Sequence, residues 1–121
     1  MTGGGIEVAR VYDAPPARPG RQVLIDRIWP RGISKAQSRW DEWCRDIAPT
    51  TELRRWYAHR PERFAEFRRR YLDELRDSDH AEALAHLDTL AGQGRLTLLT
   101  ATKDLTLSHA QILADRLAGD R

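Results

Sequence analysis

The segment 26–32 reads Asp-Arg-Ile-Trp-Pro-Arg-Gly and concentrates side chains that suit a charged ligand. Its proline and glycine restrict the backbone and Trp29 can pack against a core, so Arg27 and Arg31 have little freedom left to lose on binding. Guanidinium groups form paired hydrogen bonds with phosphates and carboxylates. The segment therefore predicts an anion-binding loop. A second interpretation stays open, in which Asp26 and an arginine form a buried ion pair that only locks the turn.

A second set of chemically useful side chains follows the apolar run 96–100. Lys103 and Asp104 come directly after it, near the start of a helix whose unbonded N–H groups attract anions. Ser108 can cap that helix, and His109 in its first turn is the best candidate for transferring a proton. The region predicts a site for phosphate or carboxylate. The competing interpretation is a solvated connecting loop in which Thr106 acts as the helix cap, and a histidine that is a surface or core residue without a catalytic role.

Three apolar runs predict the strands that position these segments. Glu7–Tyr12 alternates polar and apolar residues, as a half-buried or edge strand does, whereas Val23–Asp26 begins with three branched apolar residues, typical of a strand covered on both faces. Leu96–Thr100 is the third. A loop over Asp13–Gly20 is predicted from its three prolines.

Apolar periodicity and capping signals predict five helices between and after these strands. They are a helix over Ser38–Ile47, a short one capped by Thr50 or Thr51, a longer one from Pro61, one opened by a capping box of Asp79 and Glu82 and closed by Gly92 and Gly94, and a final one through Ala110–Leu117. Strand, helices, strand and helix in this order predict an α/β fold: a small, mainly parallel sheet flanked by helices, in a single three-layer domain.

Parallel strands bring the loops after their carboxyl ends to one edge of the sheet, where open α/β folds bind ligands. The predicted site is therefore one pocket at this edge. Its catalytic residues are predicted to be His109 and Asp26, and its ligand-binding residues Arg27, Trp29, Arg31, Lys103, Asp104 and Ser108. If the protein is an enzyme, such residues serve hydrolysis or group transfer on a phosphorylated or carboxylated compound, without metal or organic cofactor.

Composition excludes several other classes. The 121 residues predict one domain over 6–119 after a flexible start at 1–5. No run approaches the roughly 20 apolar residues of a membrane-spanning helix, and no secretory signal begins the chain, so a cytoplasmic protein is expected. Cys44 is the single cysteine and is interpreted as a core residue. His80 and His86 diverge on a helix, and no nucleotide-binding glycine motif follows a strand, so neither metal nor cofactor is predicted.

Arginine dominates the basic residues, of which only Lys35 and Lys103 are lysines, although 18 acidic residues reduce the net charge to +2. An alternative function is therefore a binding module for nucleic acid or a protein partner, without catalysis, that uses arginine-rich helices. The arginines concerned are Arg54, Arg55, Arg60, Arg63 and Arg68–Arg70. Interleaved acidic residues favour the simpler interpretation of a solvated helix face.

The whole pattern resembles one family. The matching residues are Val23–Ile33, Ile47–Arg54, Phe67, Arg70-Tyr71, Glu74-Leu75, Leu98-Leu99, Lys103-Asp104 and His109-Ala110. Over roughly residues 8–118 they resemble the bacterial YeaO-like proteins, the domain of unknown function 488, and segment 26–32 is the most specific part. The resemblance implies a small cytoplasmic α/β protein without an established activity. It points to Asp26, Arg27, Trp29, Arg31, Lys103, Asp104 and His109. Thr100 and Ser108 depart from the tyrosine and asparagine typical of relatives, which affects the details of any site there.

Overall fold

A four-stranded sheet, in which all neighbouring strands run parallel, forms the centre of the molecule. The computed structural model describes residues 5–13 and 20–119. The strands are β1 (Ile6–Arg10), β2 (Arg21–Leu24), β3 (Glu42–Trp43) and β4 (Leu96–Thr100), in the order β1-β4-β2-β3. The predicted α/β class with a small parallel sheet is therefore confirmed. Residues 1–4 of the predicted flexible start and 14–19 of the predicted loop lie outside the described residues.

The described residues form four α-helices and four short 3-10 helices. The α-helices are α1 (Thr51–Tyr57), α2 (Phe64–Glu74), α3 (Ser78–Gln93) and α4 (His109–Gly119), and the 3-10 helices are Lys35–Gln37, Arg45–Ile47, Pro61–Arg63 and Leu105–Leu107. Within the described ranges, the helices predicted after Thr50, from Pro61 and at the carboxyl end are all present. Pro61 opens a 3-10 turn that leads directly into α2, since its fixed φ suits the first helical position.

The two faces of the sheet are covered differently. Val23 and Leu98 face a large hydrophobic core to which all four α-helices contribute. Leu24 and Leu99 alternate to the other face, as strand geometry requires. That second core includes Trp29, Trp40 and Trp43. Among the described residues it contains no α-helix, so the third layer of the domain is built from the chain between β2 and β3.

The helix predicted over Ser38–Ile47 is wrong, because this segment supplies strand β3 and a 3-10 turn. The Asp41 N–H donates to the Gln22 carbonyl over 2.7 Å, and the Cys44 N–H donates to the Leu24 carbonyl over 2.8 Å. The open edge of β2 would otherwise leave these carbonyls unpaired. Long-range backbone pairing thus overrides the helical spacing, and the apolar residues divide between the two faces of the sheet.

Side-chain caps fix the starts of α1 and α3. Thr50 Oγ1 accepts the Leu53 N–H over 3.2 Å, as the sequence predicts, and donates to Glu74 Oε2 over 2.6 Å, which ties the start of α1 to the end of α2. The predicted capping box at Asp79 is wrong. Asp77 caps α3 by accepting the His80 N–H over 3.0 Å, because the helix begins at Ser78 and leaves Asp79 inside its first turn.

At its carboxyl end α3 reaches Gln93, and Gly94 is the C-cap. Gly94 therefore closes the helix as predicted, whereas Gly92 lies inside its last turn, two residues before the C-cap. None of the helices in the described part of the chain has the length and apolar character needed to cross a bilayer.

Gly20 fixes the entry of the chain into β2. Its φ is +90°, and the following N–H, that of Arg21, donates to the Arg95 carbonyl over 2.9 Å. A Cβ at Gly20 would lie 2.2 Å from the Arg95 carbonyl oxygen. Only glycine combines this left-handed conformation with such a close backbone approach.

Candidate functional site

The loops after β2 and β4 enclose a hollow of about 320 Å³, which we call the edge pocket. Because β2 and β4 run parallel, both loops leave the sheet at its carboxyl edge, as the sequence predicts. Six of the eight predicted site residues line the edge pocket: Asp26, Arg27, Trp29, Arg31, Ser108 and His109. Its size is within the range of small-molecule sites.

Asp26 joins the ends of the two central strands. Its Oδ1 accepts the Thr100 hydroxyl over 2.7 Å, and its Oδ2 accepts the Ala101 N–H over 2.8 Å. The Asp26 carbonyl accepts the indole N–H of Trp43 over 2.6 Å. Both carboxylate oxygens therefore hold the two loops together, a positioning role that leaves less capacity for direct chemistry on a ligand.

His109 lies beside Asp26, with its Nε2 3.4 Å from Asp26 Oδ1. The same nitrogen lies 3.1 Å from the Ile25 carbonyl, which can only accept, so Nε2 carries a proton. Burial lowers the pKa of His109, and the Asp26 carboxylate opposes that shift, while nearby His59 adds to it. His109 is therefore neutral at pH 7 and serves as an N–H donor that orients the turn after β2.

Arg27 lines the edge pocket, and its guanidinium also binds the chain behind the pocket. Its Nη2 donates to the Ala48 carbonyl over 3.1 Å and its Nε to the Pro49 carbonyl over 3.3 Å. These bonds fix segment 26–32 against the end of the 3-10 turn Arg45–Ile47. The second interpretation of segment 26–32 was a buried ion pair between Asp26 and an arginine that locks the turn. In the structure Asp26 and Arg27 do anchor the turn, but separately, through backbone groups and the Thr100 hydroxyl.

Trp29 supports the same segment from the second face of the sheet. Its indole N–H donates to the Ile33 carbonyl. Its ring packs edge-on against Trp40 and Trp43, at centroid distances of 5.0 and 5.3 Å. The rigid support predicted for segment 26–32 is thus a cluster of three indoles.

Two further residues that the sequence did not assign to the edge pocket also line it, Arg54 of α1 and His59 directly after α1. In the described part of the chain, no carboxylate pairs with the guanidinium of Arg31 or of Arg54. Ala58 and His59 have positive φ values of 48° and 56°, so the chain reverses sharply here. Two consecutive left-handed residues other than glycine are uncommon, and such backbone often occurs at functional sites.

The hydroxyl groups of three lining residues donate to backbone carbonyls. Tyr12 donates to the Arg31 carbonyl over 2.8 Å, and Tyr57 donates to the Leu107 carbonyl over 2.7 Å. Ser108 Oγ donates to the Leu105 carbonyl over 2.7 Å. A hydroxyl that gives its proton to a carbonyl has no base to activate it, so these three groups are not placed as nucleophiles.

Lys103 and Asp104 do not line the edge pocket, although their neighbours Ala101 and Thr102 do. Asp104 Oδ1 accepts the N–H and the hydroxyl of Thr106, over 3.1 and 2.7 Å, and so caps the turn Leu105–Leu107. Ligand contacts by these two residues stay a prediction.

Ser108 does line the edge pocket, and it is buried. Its Oγ accepts the Gln111 N–H over 3.3 Å, which caps α4 as the sequence predicts for this position. Any role of Ser108 in ligand binding is therefore added to a structural role.

Cys44, His80 and His86 lie outside the edge pocket. Burial is the main cause that raises the pKa of Cys44 to about 11, so it carries a thiol rather than a thiolate at neutral pH. His80 contacts Asp77 and the Ala48 carbonyl, while His86 contacts Glu42. Over residues 5–13 and 20–119, no three histidine, cysteine or acidic side chains are grouped to hold a metal ion.

The arginine-rich face of α1 and α2 is partly neutralised by its own neighbours. Arg69 and Arg70 both bind Glu66, with closest distances of 2.6 and 2.8 Å, and lower the pKa of Glu66 to about 2. The guanidinium groups of Arg63 and Arg70 lie 5.2 and 4.4 Å from the ring centroid of Trp56. These contacts favour the solvated face over a nucleic-acid surface, and binding of nucleic acid or a protein partner stays a prediction.

The fold and the edge pocket define an α/β protein with a hollow at the carboxyl edge of a small parallel sheet. Arginine side chains are among the residues that line this hollow. The chain belongs to the domain of unknown function 488 family: the family model described as "Inactive DUF488-N3 subclade" matches residues 5–120. This confirms the family predicted from segment 26–32 and its companion motifs.

Relatives in bacteria cover almost the whole chain. Uncharacterized proteins of Mycobacterium bovis and Mycobacterium tuberculosis are 50% identical over 114 residues, which is 94% of this chain and 94% of each relative. The uncharacterized protein YeaO of Escherichia coli is 41% identical over 112 residues, 93% of this chain and 96% of the relative. No solved structure matches.

Proposed function

We propose that this protein binds an anionic small molecule, carrying a phosphate or carboxylate group, in the edge pocket and does not convert it. The observation that carries the proposal is the pair Arg31 and Arg54: both line the pocket, and neither is paired with a carboxylate of any described residue. Guanidinium groups without a partner at the wall of a concave site are suited to bind an anion, since charge-assisted hydrogen bonds are stronger there than on an open surface.

The charge balance of the edge pocket supports the same conclusion. Arg27 adds a third guanidinium group to the lining residues. Asp26 is the acidic residue among the lining residues, and both of its oxygens accept hydrogen bonds from the protein. In the described part of the chain Asp26 forms no ion pair with Arg31 or Arg54, so an incoming anion can bind these two guanidinium groups.

Binding without turnover is favoured by the hydrogen bonds of the lining residues. The hydroxyls of Tyr12, Tyr57 and Ser108 donate to carbonyls, so no activated nucleophile lies among them. The contact of Asp26 with His109 is the arrangement that would favour hydrolysis or group transfer, but the Nε2 proton of His109 is directed to the Ile25 carbonyl. The family description contains the word "inactive", which agrees with a binding protein.

Thermal unfolding with inorganic phosphate as the probe tests the proposal. A ligand at ten times its Kd stabilises a protein by roughly 1.4 kcal/mol, so phosphate at that excess should raise the Tm of the wild type by about 5 °C. Arg31→Ala and Arg54→Gln should each remove most of this shift and leave the Tm without phosphate nearly unchanged. Arg54 and Arg31 are both exposed, so neither substitution disturbs the core.

Arg55→Gln is the matched control, because Arg55 is an exposed neighbour of Arg54 on α1 that does not line the edge pocket. It should keep the full shift. If the wild type shows no shift, or if Arg55→Gln loses as much of it as Arg54→Gln, the proposed anion site is wrong. Release of p-nitrophenol from p-nitrophenyl phosphate, lost in His109→Gln, would establish turnover instead.

A further inference from the structure

We propose that the anion bound in the edge pocket carries an aromatic body, so that the ligand is an aryl phosphate or aryl carboxylate and not an inorganic ion. This inference rests on the proposed anion binding. It adds the chemistry of the rest of the ligand, which the unpaired guanidinium groups do not specify.

The mouth of the edge pocket exposes apolar surface. Ile28 is 60% exposed and Tyr12 is 46% exposed, and these are the large hydrophobic residues that the described chain leaves exposed. Both line the edge pocket. A single exposed apolar side chain needs no explanation, but the placement of both at the mouth of one concave site is typical of a ligand-binding surface.

The Tyr12 side chain and the backbone that carries Ile28 are held in place. The Tyr12 hydroxyl donates to the Arg31 carbonyl, and the Arg10 guanidinium lies 5.1 Å from the Tyr12 ring centroid. Ile28 lies between Arg27 and Trp29, whose side chains are both anchored by hydrogen bonds to backbone carbonyls. The apolar surface is therefore preorganised, which lowers the entropic cost of binding. It also lies beside Arg31, with which no carboxylate of residues 5–13 or 20–119 pairs.

The size and interior of the edge pocket agree with an aromatic ligand. A cavity of about 150 Å³ is enough to bind benzene, whereas the edge pocket holds about 320 Å³, room for a ring and an anionic group together. Tyr57 and Phe67 also line it, and their rings stack with a centroid distance of 4.1 Å and an interplanar angle of 9°. Inorganic phosphate would leave the exposed apolar surface of Ile28 and Tyr12 in contact with water.

Isothermal titration calorimetry with three probes tests the inference: phenyl phosphate, inorganic phosphate and phenol. For the wild type, phenyl phosphate should bind at least tenfold more tightly than inorganic phosphate, because only phenyl phosphate removes the apolar mouth from water. Phenol should bind more weakly than phenyl phosphate, since it cannot use the guanidinium groups at neutral pH.

Ile28→Ser separates the apolar contribution from the charge. It should weaken phenyl phosphate at least threefold and leave the affinity for inorganic phosphate unchanged, while Ile28→Leu should restore tight binding. Because Ile28 is exposed, the fold tolerates both variants, and the Tm without ligand checks this.

The outcomes distinguish the inference from the proposed function. Equal affinities for phenyl phosphate and inorganic phosphate, both lost in Arg31→Ala, would overturn the inference and leave the anion site standing. Absence of binding by all three probes would overturn both. Phenol binding as tightly as phenyl phosphate, with no effect of Arg31→Ala, would also overturn both and make the pocket a site for neutral aromatics.

Discussion

Asp26 and His109 illustrate how a residue chosen for its chemistry can be held by its neighbours. The sequence predicts both as catalytic residues because of their types and their positions after two parallel strands. Each lies at the edge pocket, yet the carboxylate accepts the Thr100 hydroxyl and the Ala101 N–H, and the imidazole contacts the Ile25 carbonyl. Such bonds make a binding surface rigid, which favours recognition over proton transfer.

The lowered pKa of His109 predicts a pH dependence of stability. The pKa of an unfolded histidine is about 6.5 and the pKa in the folded state is lower, so the unfolded chain binds the proton more readily. The stability that neutral His109 supports is therefore complete above pH 6.5 and decreases as the pH falls through 6.5 towards the folded pKa. Urea unfolding at pH 7.5 and 5.5 should show a larger decrease for the wild type than for His109→Gln. An equal or larger decrease in His109→Gln would contradict this.

At the scale of elements, the chain between β2 and α1 shows which features can be predicted from the sequence and which cannot. Segment 26–32 could be recognised from the sequence because its proline, glycine and tryptophan restrict the conformation of the segment itself. The helix over Ser38–Ile47 was wrong because its hydrogen-bond partners, such as Gln22, are some twenty residues away, and helical periodicity does not report an open strand edge. Arg54 and His59 were missed as pocket residues for the same reason: the packing of the end of α1 against the edge of the sheet has no local signal.

The entry into β2 provides a test at the same scale. Gly20→Ala should destabilise the protein by about 3 kcal/mol or more, because the new methyl group meets the Arg95 carbonyl in a conformation that alanine avoids. Urea unfolding measures the change. Gly94→Ala is the matched control, because a Cβ there meets nothing within 4 Å and its φ is not in the left-handed region, so the loss should stay below about 1 kcal/mol. Equal losses in the two variants would show that the close approach to Arg95 is not limiting.

For the whole molecule, the near balance of 20 basic and 18 acidic residues matters less than their arrangement. Glu66 pairs with Arg69 and Arg70 on the surface of α2, and Asp73 also pairs with Arg69, whereas no carboxylate of the described residues pairs with Arg31 or Arg54 at the edge pocket. Binding is thus expected to favour a small anion that enters a concave site over a polyanion that lies across a helix face.

A salt titration with a mixed-sequence DNA duplex tests this distribution of charge. Each phosphate neutralised adds about −0.9 to the slope of log Kobs against log salt concentration. We expect a slope shallower than about −3 by fluorescence anisotropy, unchanged in Arg55→Gln/Arg68→Gln, since few arginines of this face are unpaired. A slope of −5 or steeper that this double variant reduces, with Arg31→Ala unaffected, would establish the nucleic-acid function instead.

The indole cluster on the second face gives the protein an internal optical reporter. Trp29 forms part of the edge pocket wall and touches Trp40 and Trp43, so a molecule entering the pocket changes the surroundings of one chromophore that is in contact with two others. Trp56 lies on α1 beside the guanidinium groups of Arg63 and Arg70, so it emits from a different environment. Intrinsic emission spectra can therefore follow occupancy without any label, and Trp56→Phe would leave a signal that comes from the cluster alone.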